Sequence, residues 1–296
     1  TLAIESEYVK AYNNLGIIFI ELGHADDAIK AYEQVIAIEP NNAQAHHNLG
    51  NALNELGKLD EAIKSYKQAL SIEPNYYEAH NNLGTILFKI GQTDEALNSY
   101  KDALSINPDF TDAHNNIGIT LQSLGQFDEA SESYEKAIAI NNEHTQALNN
   151  LGNCNNECGQ FAEAVNFYRQ ALNINPNFED AYYNLGTALY ALGQNDNAIN
   201  SYNNLLSINP DYADAHNNLG LILQELGQSD EAFNAYVNAL AIEPNNAQFH
   251  RNLSTLKKYK EGDTQLAQMQ SLLSKSNIGQ KDCISLSFAL SKAYED

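Results

Sequence analysis

The hexapeptide AHNNLG at 79–84 returns unchanged at 215–220, and with one or two substitutions as AYNNLG at 11–16, AHHNLG at 45–50, AHNNIG at 113–118, ALNNLG at 147–152 and AYYNLG at 181–186. The spacing is 34 residues with no insertion from residue 11 to 248. The chain therefore holds seven tandem repeats, at 11–44, 45–78, 79–112, 113–146, 147–180, 181–214 and 215–248, and a divergent eighth begins at Phe249. A period of this length marks one supersecondary unit copied in tandem. A single copy cannot bury its apolar face, so neighbours must stack to make a core.

Each repeat predicts two helices. The first runs from the Ala before NNLG to an apolar residue and then a glycine (Gly23, Gly57, Gly91, Gly125, Gly159, Gly193, Gly227), the residue that best accepts a left-handed helix end. Asp26, Asp60, Asp94, Asp128, Asp196 and Asp230 mark the expected start of the second, with Ala162 in the fifth repeat. A carboxylate there accepts from free backbone N–H groups and meets the positive end of the helix dipole. Much of the acidic charge is thus used within the fold. Pro40, Pro74, Pro108, Pro176, Pro210 and Pro244, all the prolines of the chain, end second helices.

A 34-residue helix–turn–helix carrying Leu49, Gly50, Gly57, Ala62, Tyr66, Ala69 and Pro74 resembles the tetratricopeptide repeat. The match covers 11–248. It implies an all-α fold, a right-handed superhelical solenoid of stacked helix pairs whose first helices line a concave groove.

With the Ala of AHNNLG numbered position 3, positions 3, 7, 10, 11 and 14 share one side of the first helix and read as core. Positions 2, 5, 6, 9, 12 and 13 share the other, the groove side. Position 6 is always asparagine: Asn14, Asn48, Asn82, Asn116, Asn150, Asn184, Asn218 and Asn252. Asparagine is a mediocre mid-helix residue, so local folding does not require it. A carboxamide both donates and accepts, and can pair with the N–H and C=O of an extended peptide of any sequence. First helices about 10 Å apart match about three residues of extended chain at ~3.3 Å each. The row is similar to the asparagine ladder in the repeat region of protein O-GlcNAc transferases, and that resemblance implies a grip on substrate peptides. The alternative role is hydrogen bonding between neighbouring repeats.

Selectivity then falls to other groove residues. Phe88, Tyr183 and Tyr190 are candidate apolar anchors; Asp112, Asp180 and Asp214, with Glu55, Glu78, Glu157 and Glu225, favour Lys or Arg. The expected partner is an extended peptide or protein segment, neutral or basic. A net charge of −22 argues against nucleic acid and anionic membranes, and no apolar run suffices to span a bilayer. A cytoplasmic protein is expected. Cofactor, metal and catalytic residues are all expected to be none, since no phosphate loop, HExxH or nucleophile elbow occurs.

His46, His80, His114, His216 and His250 recur at position 4, one per repeat and too widely spaced for a shared metal, so they read as packing residues. Cys154 and Cys158 stand where other repeats carry small or apolar residues and read as core. Asn155 replaces a core leucine and is the expected soft spot, where bending is anticipated.

Residues 1–10 align with the end of a preceding repeat, so the chain is expected to begin within a helix. Residues 249–296 read as the eighth repeat and a helical extension: RNLSTLKKYK at 251–260 as a first helix with Glu261 and Gly262 at its turn, then helices near 264–275 and 281–294, the last opening a further repeat. Charge changes at the same place, with 9 basic and 33 acidic side chains in 1–248 against 7 and 5 in 249–296. This stretch looks like the region joining repeats to the catalytic domain in bacterial repeat-containing sulfotransferases. That resemblance implies the substrate-presenting part of a larger protein-modifying transferase. Head-to-tail stacking into oligomers or fibres is the structural alternative.

Overall fold

The computed structural model describes residues 2–260, 262–275 and 278–295, with side chains from Glu7 onward. Among them the chain forms 17 helices and no strand. It divides into two compact halves, 1–154 and 155–296. The division falls beside Asn155.

In the N-terminal half the first helices are α1 (Leu2–Glu21), α3 (Ala43–Glu55), α5 (Tyr77–Lys89), α7 (Thr111–Ser123) and the start of α9 (Thr145–Glu157). Their partners are α2 (Ala25–Ile38), α4 (Leu59–Ile72), α6 (Thr93–Ile106) and α8 (Phe127–Ile140). The C-terminal half holds α10 (Phe161–Ile174), α11 (Glu179–Ala191), α12 (Asn195–Ile208), α13 (Ala213–Glu225) and α14 (Ser229–Ile242). It ends with α15 (Ala247–Ser254), α16 (Thr264–Leu273) and α17 (Gln280–Glu295). From α1 to α8 and from α10 to α15 each first helix packs on its own second helix, and that one on the next first helix, after which α15 packs on α17.

One pair of residues welds each of six hairpins. A Cβ added at Gly50 would lie 2.6 Å from a ring carbon of Tyr66, and Gly16, Gly84, Gly118, Gly186 and Gly220 are equally tight against Tyr32, Tyr100, Tyr134, Tyr202 and Tyr236. Without a side chain at position 8 the second helix can seat a whole tyrosine, and these rings are almost completely buried. The turn glycines behave as the sequence predicts, with φ from +71° to +82° between the paired helices.

The acidic pairs do not cap. Second helices begin one residue before the aspartate, at Ala25, Leu59, Thr93, Phe127, Asn195 and Ser229, and their N-cap residues (His24, Lys58 and four glutamines) make no capping side-chain bond. Asp26 and its equivalents sit inside the first turn and act there through the helix dipole. The position-4 histidines supply a brace instead. Nε2 of His46, His80, His114 and His216 lies 3.0 Å from the carbonyl oxygen of the proline six residues earlier, and His250 repeats this at 2.9 Å. A carbonyl only accepts, so Nε2 carries the proton.

Three further expectations change. Position 14 is exposed, as at Leu56, Ile90 and Leu192, because it lies where the helix ends. Cys158 accordingly stands on the surface, whereas Cys154 is buried and its thiol bonds the Phe127 carbonyl at 3.3 Å. Position 5 is buried rather than open: Asn81, Asn115, Asn149, Asn217 and His47 are all at least nine-tenths covered. Lastly, α15 stops at Ser254 rather than running to residue 260. The hydroxyls of Ser254 and Thr255 bond back to the Arg251 and Asn252 carbonyls at 2.7 Å, competing with further helical turns. The expectation for Glu261 lies outside the described residues, while Gly262 has φ +85°.

Residues 2–10 continue straight into α1, with Ser6 in the place where six repeats carry proline. At the other proline-free junction Asn141 Oδ1 accepts from the Glu143 N–H at 3.0 Å and holds the chain out of helix. No helix of the described residues is long and apolar enough to cross a membrane.

Candidate functional site

The asparagine row is tied into the stack. Asn116 Nδ2 donates to Asn81 Oδ1 at 2.9 Å, Asn150 to Asn115 at 3.0 Å, and Asn252 to Asn217 at 2.7 Å. Asn82 Nδ2 donates to His47 Nε2 and to Asn51 Oδ1, both at 3.0 Å, and Asn218 to the Tyr183 hydroxyl at 3.3 Å. In every case position 6 of one repeat reaches position 5 of the repeat before it. The inter-repeat role is therefore real, and the doublet in NNLG was its signal: one amide gives and its neighbour's counterpart accepts.

The rows differ in access. Position 6 is half-buried at Asn48, Asn82, Asn116, Asn150, Asn184 and Asn218, exposed at Asn14 and buried at Asn252. An amide offers two N–H donors and two carbonyl lone pairs, so Asn116 and Asn150, which spend one donor on the rung, keep capacity, whereas Asn82 and Asn218 spend both within the stack. At the first junction the rung fails, and Asn13 Oδ1 is buried without a partner.

His47 occupies the acceptor place in the second repeat. Its Nε2 accepts from Asn82, so Nδ1–H faces the Tyr76 hydroxyl, 3.1 Å away. Burial holds its pKa below the usual histidine value, against a smaller opposing pull from Glu78.

The other predicted residues lie on first helices, Phe88 and Asp112 in the N-terminal half and Asp180, Tyr183, Tyr190 and Asp214 in the C-terminal half. Phe88 is half-buried against the N-terminal core. Asp112 accepts from His144 at 3.2 Å, and that bond keeps its carboxyl below the ordinary aspartate range. Tyr183 stacks on Tyr212 with centroids 5.3 Å apart. Tyr190 donates to Glu225 at 2.5 Å; chiefly this bond to a carboxylate, and then burial, pushes its pKa up to about 12. Asp180 and Asp214 are exposed, and desolvation, then Glu243, raises the Asp214 pKa.

In the C-terminal half the first helices, with α17, form a pocket of about 560 Å³, lined by Leu221, Gln224, Glu225, Gln248, Arg251, Asn252, Thr255 and Phe288. Helices α13 and α15 supply all but Thr255, the residue just after α15, and Phe288, which comes from α17. Of these only Glu225 and Asn252 were legible as site residues. The clue to the rest was the charge change after residue 248, which puts an arginine at position 5.

The repeat models agree with this geometry. Two of them, described as TPR repeat and tetratricopeptide repeat, match residues 17–57, 50–91, 84–125, 156–193 and 186–227, and 111–144 and 213–246 respectively. The chain belongs to the tetratricopeptide repeat family. Among solved structures it is similar to a tetratricopeptide repeat protein from Parabacteroides merdae, at 20% identity over 83% of this chain and 98% of that one, with a TM-score of 0.62. PilF of Pseudomonas aeruginosa matches at 18% identity over 76% and 98%, TM-score 0.63. A chain of the APC/C hetero-tetramer Cut9-Hcn1 matches at 19% over 87% and 54%, TM-score 0.67. These likenesses concern the fold alone. A search of curated proteins gives no match.

Proposed function

We propose that the chain is a protein-interaction module that holds an extended peptide segment along its first-helix face. The supporting observation is the pocket on α13, α15 and α17, where an apolar floor meets a rim of amides and charges in the manner of a recognition site. The asparagines then have two duties, tying repeats together through their N–H groups and meeting the peptide main chain with the donors and carbonyl lone pairs that remain. Each such bond nets about 0.5–1.5 kcal/mol against about 1–2 kcal/mol to order a peptide residue. Affinity from the row is therefore low, and Phe88, Tyr183, Tyr190, Asp112, Asp180 and Asp214 set preference. The resemblance to transferase repeat regions makes the substrate-presenting arm of a modifying enzyme the natural setting. Calorimetry with lysine-bearing extended peptides should give dissociation constants of about micromolar order. No heat with any neutral or basic peptide would overturn the reading.

A second reading rests on α1. Leu15, Ile18 and Leu22 are 42, 47 and 62% exposed, while Ala52 and Ile86, at the place of Ile18, are fully buried. Such a stripe favours end-to-end association of copies. Sedimentation should then show growth with concentration that Ile18→Glu abolishes.

A further inference from the structure

Arg251 is one of two arginines in a chain of net charge −22. It occupies position 5, where the two preceding repeats carry Asn217 and Tyr183. Among the described residues its guanidinium forms no ion pair, and the contact it makes is with the Phe288 ring, 4.8 Å from Cζ to the centroid. A guanidinium lying over a ring has the ring on one side, and its N–H donors on the open side are left for a carboxylate to meet in a fork. Phe288 is itself 44% exposed, so the pair stands at the pocket surface.

The pocket's remaining polar groups are already committed to one another. Gln248 Nε2 donates to Asn252 Oδ1 at 2.9 Å, Asn252 donates to Asn217, and Gln224 Nε2 donates to the Thr255 hydroxyl at 3.1 Å while its Oε1 accepts from Tyr236 at 2.8 Å. These bonds fix the rim before any ligand arrives, which lowers the ordering cost of binding. Arg251 is the group with donors to spare. Glu225 shares the pocket without pairing to it, and is oriented by the Tyr190 hydroxyl.

We propose that this pocket is a charge-reading subsite, which takes an acidic side chain of the bound segment on Arg251 and a basic one on Glu225. The inference rests on the peptide-binding reading and narrows it. The partner is a segment of mixed charge, with a base and an acid close enough in sequence for both to reach this one pocket, rather than a uniformly basic one. Elsewhere on the first helices of the C-terminal half Asp180, Asp214 and Glu225 repel a carboxylate, whereas Arg251 attracts one, and repulsion plus that attraction fixes register. Because α17 supplies Phe288, the subsite exists only when that helix is docked.

Three dodecapeptides with the cores Lys-Ala-Ala-Asp, Lys-Ala-Ala-Asn and Ala-Ala-Ala-Asp, titrated by calorimetry into the whole chain and into Arg251→Gln and Arg251→Lys, test this. The Asp-to-Asn change in the peptide should weaken binding about tenfold to the unaltered protein, less than twofold to Arg251→Gln, and by an intermediate factor to Arg251→Lys, which keeps the charge but not the fork. The Lys-to-Ala change should weaken binding to all three proteins alike. Equal affinity of the Asp and Asn peptides for the unaltered protein, or an equal loss on Arg251→Gln with circular dichroism unchanged, would overturn the subsite while leaving peptide binding intact. Absence of binding by all three peptides would overturn both.

Discussion

Helices α13 and α14 follow the repeat rule; α15 and α16, next along the same chain, do not. In the first pair Gly220 lies flat against Tyr236, α13 runs 13 residues and the two helices pack along their length. In the second, Ser254 replaces the glycine, no tyrosine follows at the matching place, and α15 stops after 8 residues. Helix α15 then packs chiefly on α17 instead of on α16. The lesson is that a hairpin here is a specific weld between one absent side chain and one large ring, and that losing both partners frees the second helix to go elsewhere. The freed arrangement is what brings Phe288 to Arg251.

Breaking the weld should have the largest effect. Gly220→Val drives a branched side chain into the Tyr236 ring and should cost about 3 kcal/mol in urea unfolding, whereas Ser254→Gly, with no ring to receive it, should cost about 1 kcal/mol or less. Equal losses at the two positions would erase the distinction. Next come the rungs between repeats. Asn252→Ala strands the buried Asn217 amide and should cost about 1–2 kcal/mol, while Asn14→Ala, at an exposed position, should stay within about 0.5 kcal/mol.

The smallest effect is the response to acid. His250 is buried, its Nε2–H spent on Pro244 and its Nδ1 accepting from Gln265 at 3.0 Å. Burial above all holds its pKa below the ordinary histidine value of 6.5. The unfolded chain therefore takes up a proton before the folded one does. Stability is complete above about pH 6.5 and falls as pH drops through the lower folded value. The His250 C2 proton resonance should titrate below 6.5; a midpoint above that would reverse the sign.

The period, the hairpin, the turn glycines and the buried tyrosines were legible because each is a local demand repeated many times, so register could be read against itself. Three features were not. Helical periodicity placed position 5 toward the groove, but it cannot see that the neighbouring repeat closes over that side. The aspartates looked like caps because composition marks a helix start only to within a residue or so. The pocket was hidden because it needs α17, whose approach follows from the failure of α15 and α16 to pair and not from any motif. The asparagine row was found by its regularity, yet regularity alone did not say which neighbour takes its protons.

The welded tyrosines have one more consequence. Their phenols do not end in the core: Tyr66, Tyr134 and Tyr236 donate to Asn51, Gln122 and Gln224, and Gln224 lines the pocket itself. The chain has 17 tyrosines and no tryptophan. Its ultraviolet emission is thus wholly phenolic, unmasked by indole, and partly set by hydrogen bonds to side chains that a docking segment would disturb. Were a segment to dock at that pocket, the molecule's own tyrosine emission would report it without a label.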